Sequence, residues 1–220
     1  MAADIDFFFD PVCPFAWVTS RWIDRVATLR GLVVEWRFIS LRMVNRERDY
    51  AEDFPPGYVD GHTRGLELLR VAAAARDADG SGAVGRLYAA YGSEIWDRRG
   101  GLDSALRTRG DVASLEPALA AAGLATSLAS AVEEERWDEV IMAETDMALG
   151  RTGKDVGTPI VTYGPPDGLS LFGPVISHVP DDAEALELWD AVATLSRFPG
   201  FAELKRSQRE PLALESLRRD

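Results

Sequence analysis

A strand that runs into a proline-flanked cysteine constrains this chain more than any other feature. Residues Ile5–Phe9, apolar but for Asp6, read as a short strand buried on both faces, and Asp10-Pro11 ends it. Cys13 follows, then Pro14, whose missing N–H costs nothing in the first turn of a helix. From Phe15 onward the apolar positions Val18, Trp22, Val26 and Leu29 recur at spacings of three and four, and Gly31 supplies a left-handed stop. Residues 32–41, rich in β-branched and aromatic side chains, read as a second strand. Strand, helix and strand with a long crossover make a parallel βαβ unit, with Cys13 at the N-cap or first position of its helix. A thiolate there meets free backbone N–H groups and the positive end of the helix dipole. Its pKa is therefore expected to be lowered and the nucleophilic form enriched at neutral pH.

The character changes at Pro55-Pro56-Gly57. Residues 60 to 150 are rich in Ala, Leu, Arg and Glu and predict four or five helices, at roughly 60–77, 83–97, 111–122, 126–134 and 137–150. Strand character returns at 159–163, turns through the Gly/Pro-rich 164–168 and resumes at 169–172, which predicts a β-hairpin. A last helix is expected from about 181 to 197, with Leu186, Trp189, Val192 and Ala193 facing inward and Asp181 and Asp182 in its first turn. The order is β-α-β, helical block, β-β-α. It predicts an α/β core over residues 1–52 and 151–200, an all-helical insertion over 53–150 and a tail over 201–220.

The formal net charge of −12 is the opposite of what releases counterions from nucleic acid, so a nucleic-acid partner is not expected. One cysteine excludes an internal disulfide and fits a reducing compartment. With two histidines, no metal-ligand spacing arises and no metal is expected. The sequence has no secretory leader pattern and no long apolar run, so a cytoplasmic protein away from the membrane is expected. Gly80-Ser81-Gly82-Ala83-Val84-Gly85 fits a dinucleotide fingerprint on paper, but it follows a helical stretch rather than a strand and reads as a helix–helix loop.

Val156-Gly157-Thr158-Pro159 stands immediately before the returning strand, where a proline cannot interrupt a ladder. Together with Cys13-Pro14-Phe15-Ala16 it resembles the thioredoxin superfamily, in its DsbA-like branch with a helical insertion. In that branch a Cys-Pro-x-Cys motif opens the first helix and faces a cis-proline. The segments 9–17, 155–159, 172–174 and 201–206 are further similar to the mycothiol-dependent nitroreductase family. The resemblance implies a thioredoxin-like fold and an oxidoreductase in which Cys13 is the nucleophile and Pro14, Phe15 and Ala16 complete the motif. Mycothiol, or glutathione, is the implied co-substrate thiol, acting with an electrophilic or disulfide substrate. Thr158 and Pro159, preceded by Gly157, would pair with the bound thiol in a strand-like mode, with Gly173 and Pro174 close by. Trp17 is a candidate for the pocket border or the core.

Ala16 departs from the motif, because it stands where the second cysteine belongs. A disulfide on Cys13 must then be resolved by an outside thiol, which implies a monothiol reductase. The same departure leaves room for a transferase or isomerase that uses a bound thiol without redox change. The kappa-class glutathione transferases and chromene-carboxylate isomerases share this fold with a single Ser at the helix start. A third reading is a non-catalytic thioredoxin-fold binding module, with exposed apolar surface on the helical block as a homodimer face. Tyr58 and His62 are weaker candidates for the substrate side of the cleft, and His178 for the neighbourhood of Gly173-Pro174.

Overall fold

The computed structural model describes residues 2–218; the last two positions of the predicted tail lie outside the described residues. Strand β1 (Ile5–Phe9) leads into helix α1 (Pro14–Arg30), which Gly31 ends in the left-handed region at φ 68°. Strand β2 (Val34–Phe38) follows. Two single-turn helices, α2 (Leu41–Val44) and α3 (Tyr50–Asp53), precede the long α4 (Tyr58–Asp79). Then come α5 (Gly82–Ile95), α6 (Gly101–Arg107), α7 (Glu116–Ala121) and α8 (Asp138–Thr152), with 3-10 turns between the last three. Strands β3 (Ile160–Tyr163) and β4 (Ser170–Phe172) complete the sheet, and α9 (Asp182–Ser196) packs beside α1. A capping box starts α9: the Asp181 carboxylate takes the N–H of Glu184, and the Glu184 side chain takes that of Asp181.

The sheet order is β2-β1-β3-β4, with β1 parallel to β2 and antiparallel to β3. Central β1 is buried on both faces, as its composition demands. Ile5, Phe7 and Phe9 join Trp36, α1 and α5 in the larger core, while Phe8 packs with Ile160 and with Ala148 and Leu149 of α8 on the other side. Each fully buried Phe contributes about 2–3 kcal/mol of transfer free energy. Asp6 sits on the α8 face, 1% exposed, and is compensated by Arg37 at 3.0 Å and Arg151 at 2.8 Å. Glu144 of α8 extends the network to Arg37 and Arg76 and accepts the backbone N–H of Phe38 at 2.8 Å. The helical block is thereby bound to the sheet by directional contacts as well as by area.

Several local expectations need correction. The second strand is shorter than residues 32–41, because the Ser40 N–H is taken by the Thr145 hydroxyl at 3.0 Å and the Leu41 N–H by Asp10 at 2.7 Å. Those bonds lift the chain off the sheet and start α2. Helix α6 was not expected; it begins after Gly100, at φ 68°, inside what reads as a break. The stretch 126–134 is a 3-10 rather than an α-helix, and 111–122 is divided into a 3-10 turn and α7. Of Gly80 to Gly85, read as a helix–helix loop, only Gly80 and Ser81 join α4 to α5, and Gly82 to Gly85 form the first turn of α5.

Candidate functional site around Cys13

Cys13 is the N-cap of α1, delivered by a tight turn in which its N–H donates to the Asp10 carbonyl at 3.0 Å. The Asp10 side chain fixes the same loop from below. One carboxylate oxygen accepts the Val12 N–H at 3.0 Å and the other the Leu41 N–H at 2.7 Å. Asp10 is fully buried, and that burial pushes its carboxyl up to about 7 against the two N–H bonds, which pull it down. Gly65 of α4 lies directly on it: a Cβ at that position would stand 2.3 Å from an Asp10 oxygen, so the approach requires glycine.

The Cys13 sulfur is held from two sides. It accepts the Ala16 N–H at 3.4 Å, as a helix cap, and the thiol donates to the Thr158 carbonyl at 3.3 Å. The residue is 7% exposed. Burial pushes the thiol up to about 12, the Ala16 N–H opposes that shift and the Asp10 charge adds to it. The expectation of a lowered pKa is therefore corrected for the unliganded chain. The helix N-terminus does supply its N–H, but removal from water outweighs one hydrogen bond of 3.4 Å.

Thr158 and Pro159 face the thiol across 145 residues of sequence. The Thr158 hydroxyl donates to the Phe8 carbonyl at 3.0 Å, and the Thr158–Pro159 peptide bond is cis. The Pro159 carbonyl accepts the Gly173 N–H at 2.9 Å, and the Pro174 carbonyl accepts the Thr19 hydroxyl of α1 at 2.8 Å. Cys13, Ala16, Thr158, Pro159, Gly173 and Pro174 thus form one contiguous constellation, with Gly157 half-buried beside it. Pro14 and Phe15 are half-buried at its edge, where Arg209 from the tail lies 5.2 Å from the Phe15 ring centre.

Trp17 is committed to packing. Its indole donates to Asp97 at 3.0 Å, its ring touches Gly92 of α5 and Arg21 covers it at 4.3 Å. Tyr58 and His62 belong to an aromatic cluster with Tyr50 and Phe54, in which the Tyr50 hydroxyl meets His62 Nδ1 at 2.9 Å. Burial, with Arg42 nearby, pushes His62 down to about 4 and keeps it neutral. His62 stands one turn before Gly65, so the cluster borders the Asp10 loop. His178 is on the surface, bonded to Ser177 at 3.1 Å and 3.9 Å from Glu210. Among the described residues no group of three or more His, Cys, Asp or Glu side chains is arranged to hold a metal ion, and no helix is long and apolar enough to cross a membrane.

Sequence reasoning missed Asp10 as the anchor of the loop, and Tyr50 and Phe54 as partners of His62. The second omission had a signal. Tyr50, Phe54, Tyr58 and His62 recur at intervals of four, which is helical spacing carried across the Pro55-Pro56 break.

Comparison with known proteins bears on the family and the fold. The family model described as Rv2466c-like, mycothiol-dependent nitroreductase Rv2466c, matches residues 12–206. The uncharacterized protein Rv2286c of Mycobacterium tuberculosis strain H37Rv is 30% identical over 207 residues, covering 92% of this chain and 81% of that protein. Among solved structures, a 2-hydroxychromene-2-carboxylate isomerase superposes with a TM-score of 0.53 at 18% identity, over 88% of this chain and 96% of its own. A candidate protein disulfide isomerase of Nitrosomonas europaea gives 0.54 at 10% identity, over 87% and 99%. At those identities the two structures establish the fold: a DsbA-like thioredoxin fold with a helical insertion.

Proposed function

The chain belongs to the Rv2466c-like family of mycothiol-dependent nitroreductases, and from that premise we propose that it is a monothiol reductase in which Cys13 exchanges disulfides with a low-molecular-weight thiol. Mycothiol is the favoured co-substrate, with glutathione as the chemical alternative. The observation that carries the reading is the position of the Cys13 sulfur, capped by the Ala16 N–H and 3.3 Å from the main-chain carbonyl of Thr158. A thiol or disulfide bearing an amide docks along Thr158 as an added strand, its N–H taking the carbonyl that holds the thiol proton at rest. Cys13 then loses its acceptor while keeping the Ala16 N–H, which favours the thiolate.

In the first step the thiolate attacks one sulfur of a substrate disulfide, R–S–S–R′. The Cys13–S–S–R bond forms and R′S⁻ leaves. In the second step a free thiolate, MS⁻, attacks the R sulfur and returns the Cys13 thiolate with release of M–S–S–R. Two electrons pass from the free thiol to the substrate, and Ala16 obliges that thiol to come from solution. The cleft lies between a core of residues 1–52 and 151–200 and the helical insertion of 53–150, with Tyr58 and His62 on its substrate side. The reaction suits the cytoplasm, where low-molecular-weight thiols are kept reduced.

Intact-mass analysis after incubation with mycothiol disulfide or glutathione disulfide tests the reading. Wild type gains one thiol, excess free thiol removes it and Cys13→Ser gains none. A folded wild type that forms no adduct with either disulfide would overturn the proposal. A second reading, a transferase or isomerase using a bound thiol without redox change, is favoured by the protonated, buried resting state of Cys13. Turnover without a mixed disulfide would establish it.

A further inference from the structure

Between residues 201 and 214 the chain beyond α9 carries neither helix nor strand, and residues 202–211 are exposed throughout. Its fixed points lie around the Cys13 loop. On the side of the sheet core, the Arg209 guanidinium stands 5.2 Å from the ring centre of Phe15, two residues past Cys13. The Glu210 carboxylate accepts the Ser177 hydroxyl at 3.2 Å, and the Ala213 N–H donates to the Ser177 carbonyl at 2.9 Å. Ser177 is three residues past Pro174, whose carbonyl is held by Thr19 of α1. On the side of the helical block, the Ser216 N–H donates to the carbonyl of Trp96 at 3.2 Å, and the Trp96 indole donates to the Pro11 carbonyl at 3.0 Å.

The tail is therefore a strap. It runs from two walls of the Cys13 site, the first turn of α1 and the loop after Pro174, to the end of α5, which grips the Cys13 loop itself. Between these ends Leu214 is 5% exposed and joins the core cluster that holds Cys13 and Trp96. Leu214 is the one buried residue of 201–218. Segments held by so little buried apolar surface open locally, at a small part of the cost of global unfolding. The strap is not a strand of the β2-β1-β3-β4 sheet, so its release leaves the sheet intact.

On the reading of Cys13 as the reacting thiol, we propose that this strap gates it. Held by Leu214, the strap binds the core to the helical block around the Cys13 loop, where Cys13 is 7% exposed. Released, it frees Phe15, Ser177 and Trp96 together and opens the loop to reagents and substrates.

Alkylation of Cys13 by iodoacetamide under native conditions at a fixed pH tests the gate. It reads access and needs no disulfide chemistry, so the gate can fail while the monothiol reading stands, and the reverse. Leu214→Ser removes the buried side chain, and the rate is expected to rise about tenfold or more, the change in opening that burial of one leucine commands. Ala213→Pro removes the N–H given to Ser177 at an exposed position and should raise the rate severalfold. It decides the matter alone if Leu214→Ser does not fold. Amide exchange at Ser216 should quicken in step with alkylation in both variants. Leu149→Ala, in the cluster on the other face of the sheet, weakens the fold without touching the strap and should be alkylated as wild type is. The proposal is overturned if a folded strap variant is alkylated at the wild-type rate, or if Leu149→Ala is alkylated as fast as the strap variants.

Discussion

The thiol of Cys13 donates its proton to the main-chain carbonyl of Thr158 across 3.3 Å, joining the first helix to the loop before β3. The bond is between the proposed nucleophile and a backbone group that substitution cannot remove. It also places the resting protein in its protonated form, since burial and this acceptor both favour the neutral thiol.

Alkylation therefore follows pH steeply in the unliganded protein. With the thiol pushed up to about 12, the iodoacetamide rate should rise about tenfold per pH unit from 7 to 10 without a plateau. A plateau near pH 7 would show an activated thiolate already present at rest.

Asp10 gives stability its own pH dependence. Its carboxyl is raised from 3.8 to about 7, so the folded chain holds this proton more tightly than the unfolded chain does. That contribution is complete below pH 3.8 and is lost as pH rises to about 7, with a limiting slope of about 1.4 kcal/mol per pH unit. Denaturation of wild type and Asp10→Asn side by side should show wild type ahead at pH 4–5 and its advantage shrinking by pH 7–8. A gap that does not change with pH would contradict the assignment.

Ala16→Cys should convert the chemistry. Ala16 is fully buried and its N–H already bonds the Cys13 sulfur, so a thiol there stands one helical turn from Cys13. The variant should lose the bound thiol spontaneously and appear two hydrogens lighter than its reduced form in intact mass. Persistence of the adduct would mean that the new thiol cannot reach the bond.

Thr158→Ala separates side chain from backbone at the same residue. The lost hydroxyl bond to Phe8 should cost about 1 kcal/mol in chemical denaturation. Adduct formation should survive, because the carbonyl remains.

Much of this arrangement is legible in the sequence, and the parts that are not share a cause. The Phe7–Phe9 run, Cys13-Pro14 and Gly31 declare β1, the cap and the end of α1 locally, through periodicity and backbone preference. Thr158 and Pro159 are legible only through family resemblance, because nothing within ten residues of them reports a partner at Cys13. The thiol's raised pKa was hidden for the same reason: the dipole argument needs only the helix, whereas burial needs the block that closes over it. Asp10 reads as a strand terminator until Leu41 and Gly65 are known to meet it. Arg64, buried on the Ala-rich α4, looks like a surface residue in any one-dimensional reading.

Gly92→Ala tests how tightly that block is seated. A Cβ there would lie 2.0 Å from the Trp17 ring, so Trp17 or α5 must shift. A loss of about 1–3 kcal/mol is expected in denaturation. An unchanged midpoint would mean that the contact between α5 and α1 yields without cost.

The sheet also sets an order of events during synthesis. Strand β1 lies between β2, made almost at once, and β3, in which Ile160 pairs with Phe8. While the ribosome produces the helices in between, one edge of the Phe-rich strand has no neighbour. Unpaired apolar edges recruit other chains, so nascent chains stalled before β3 are where aggregation and chaperone capture should concentrate.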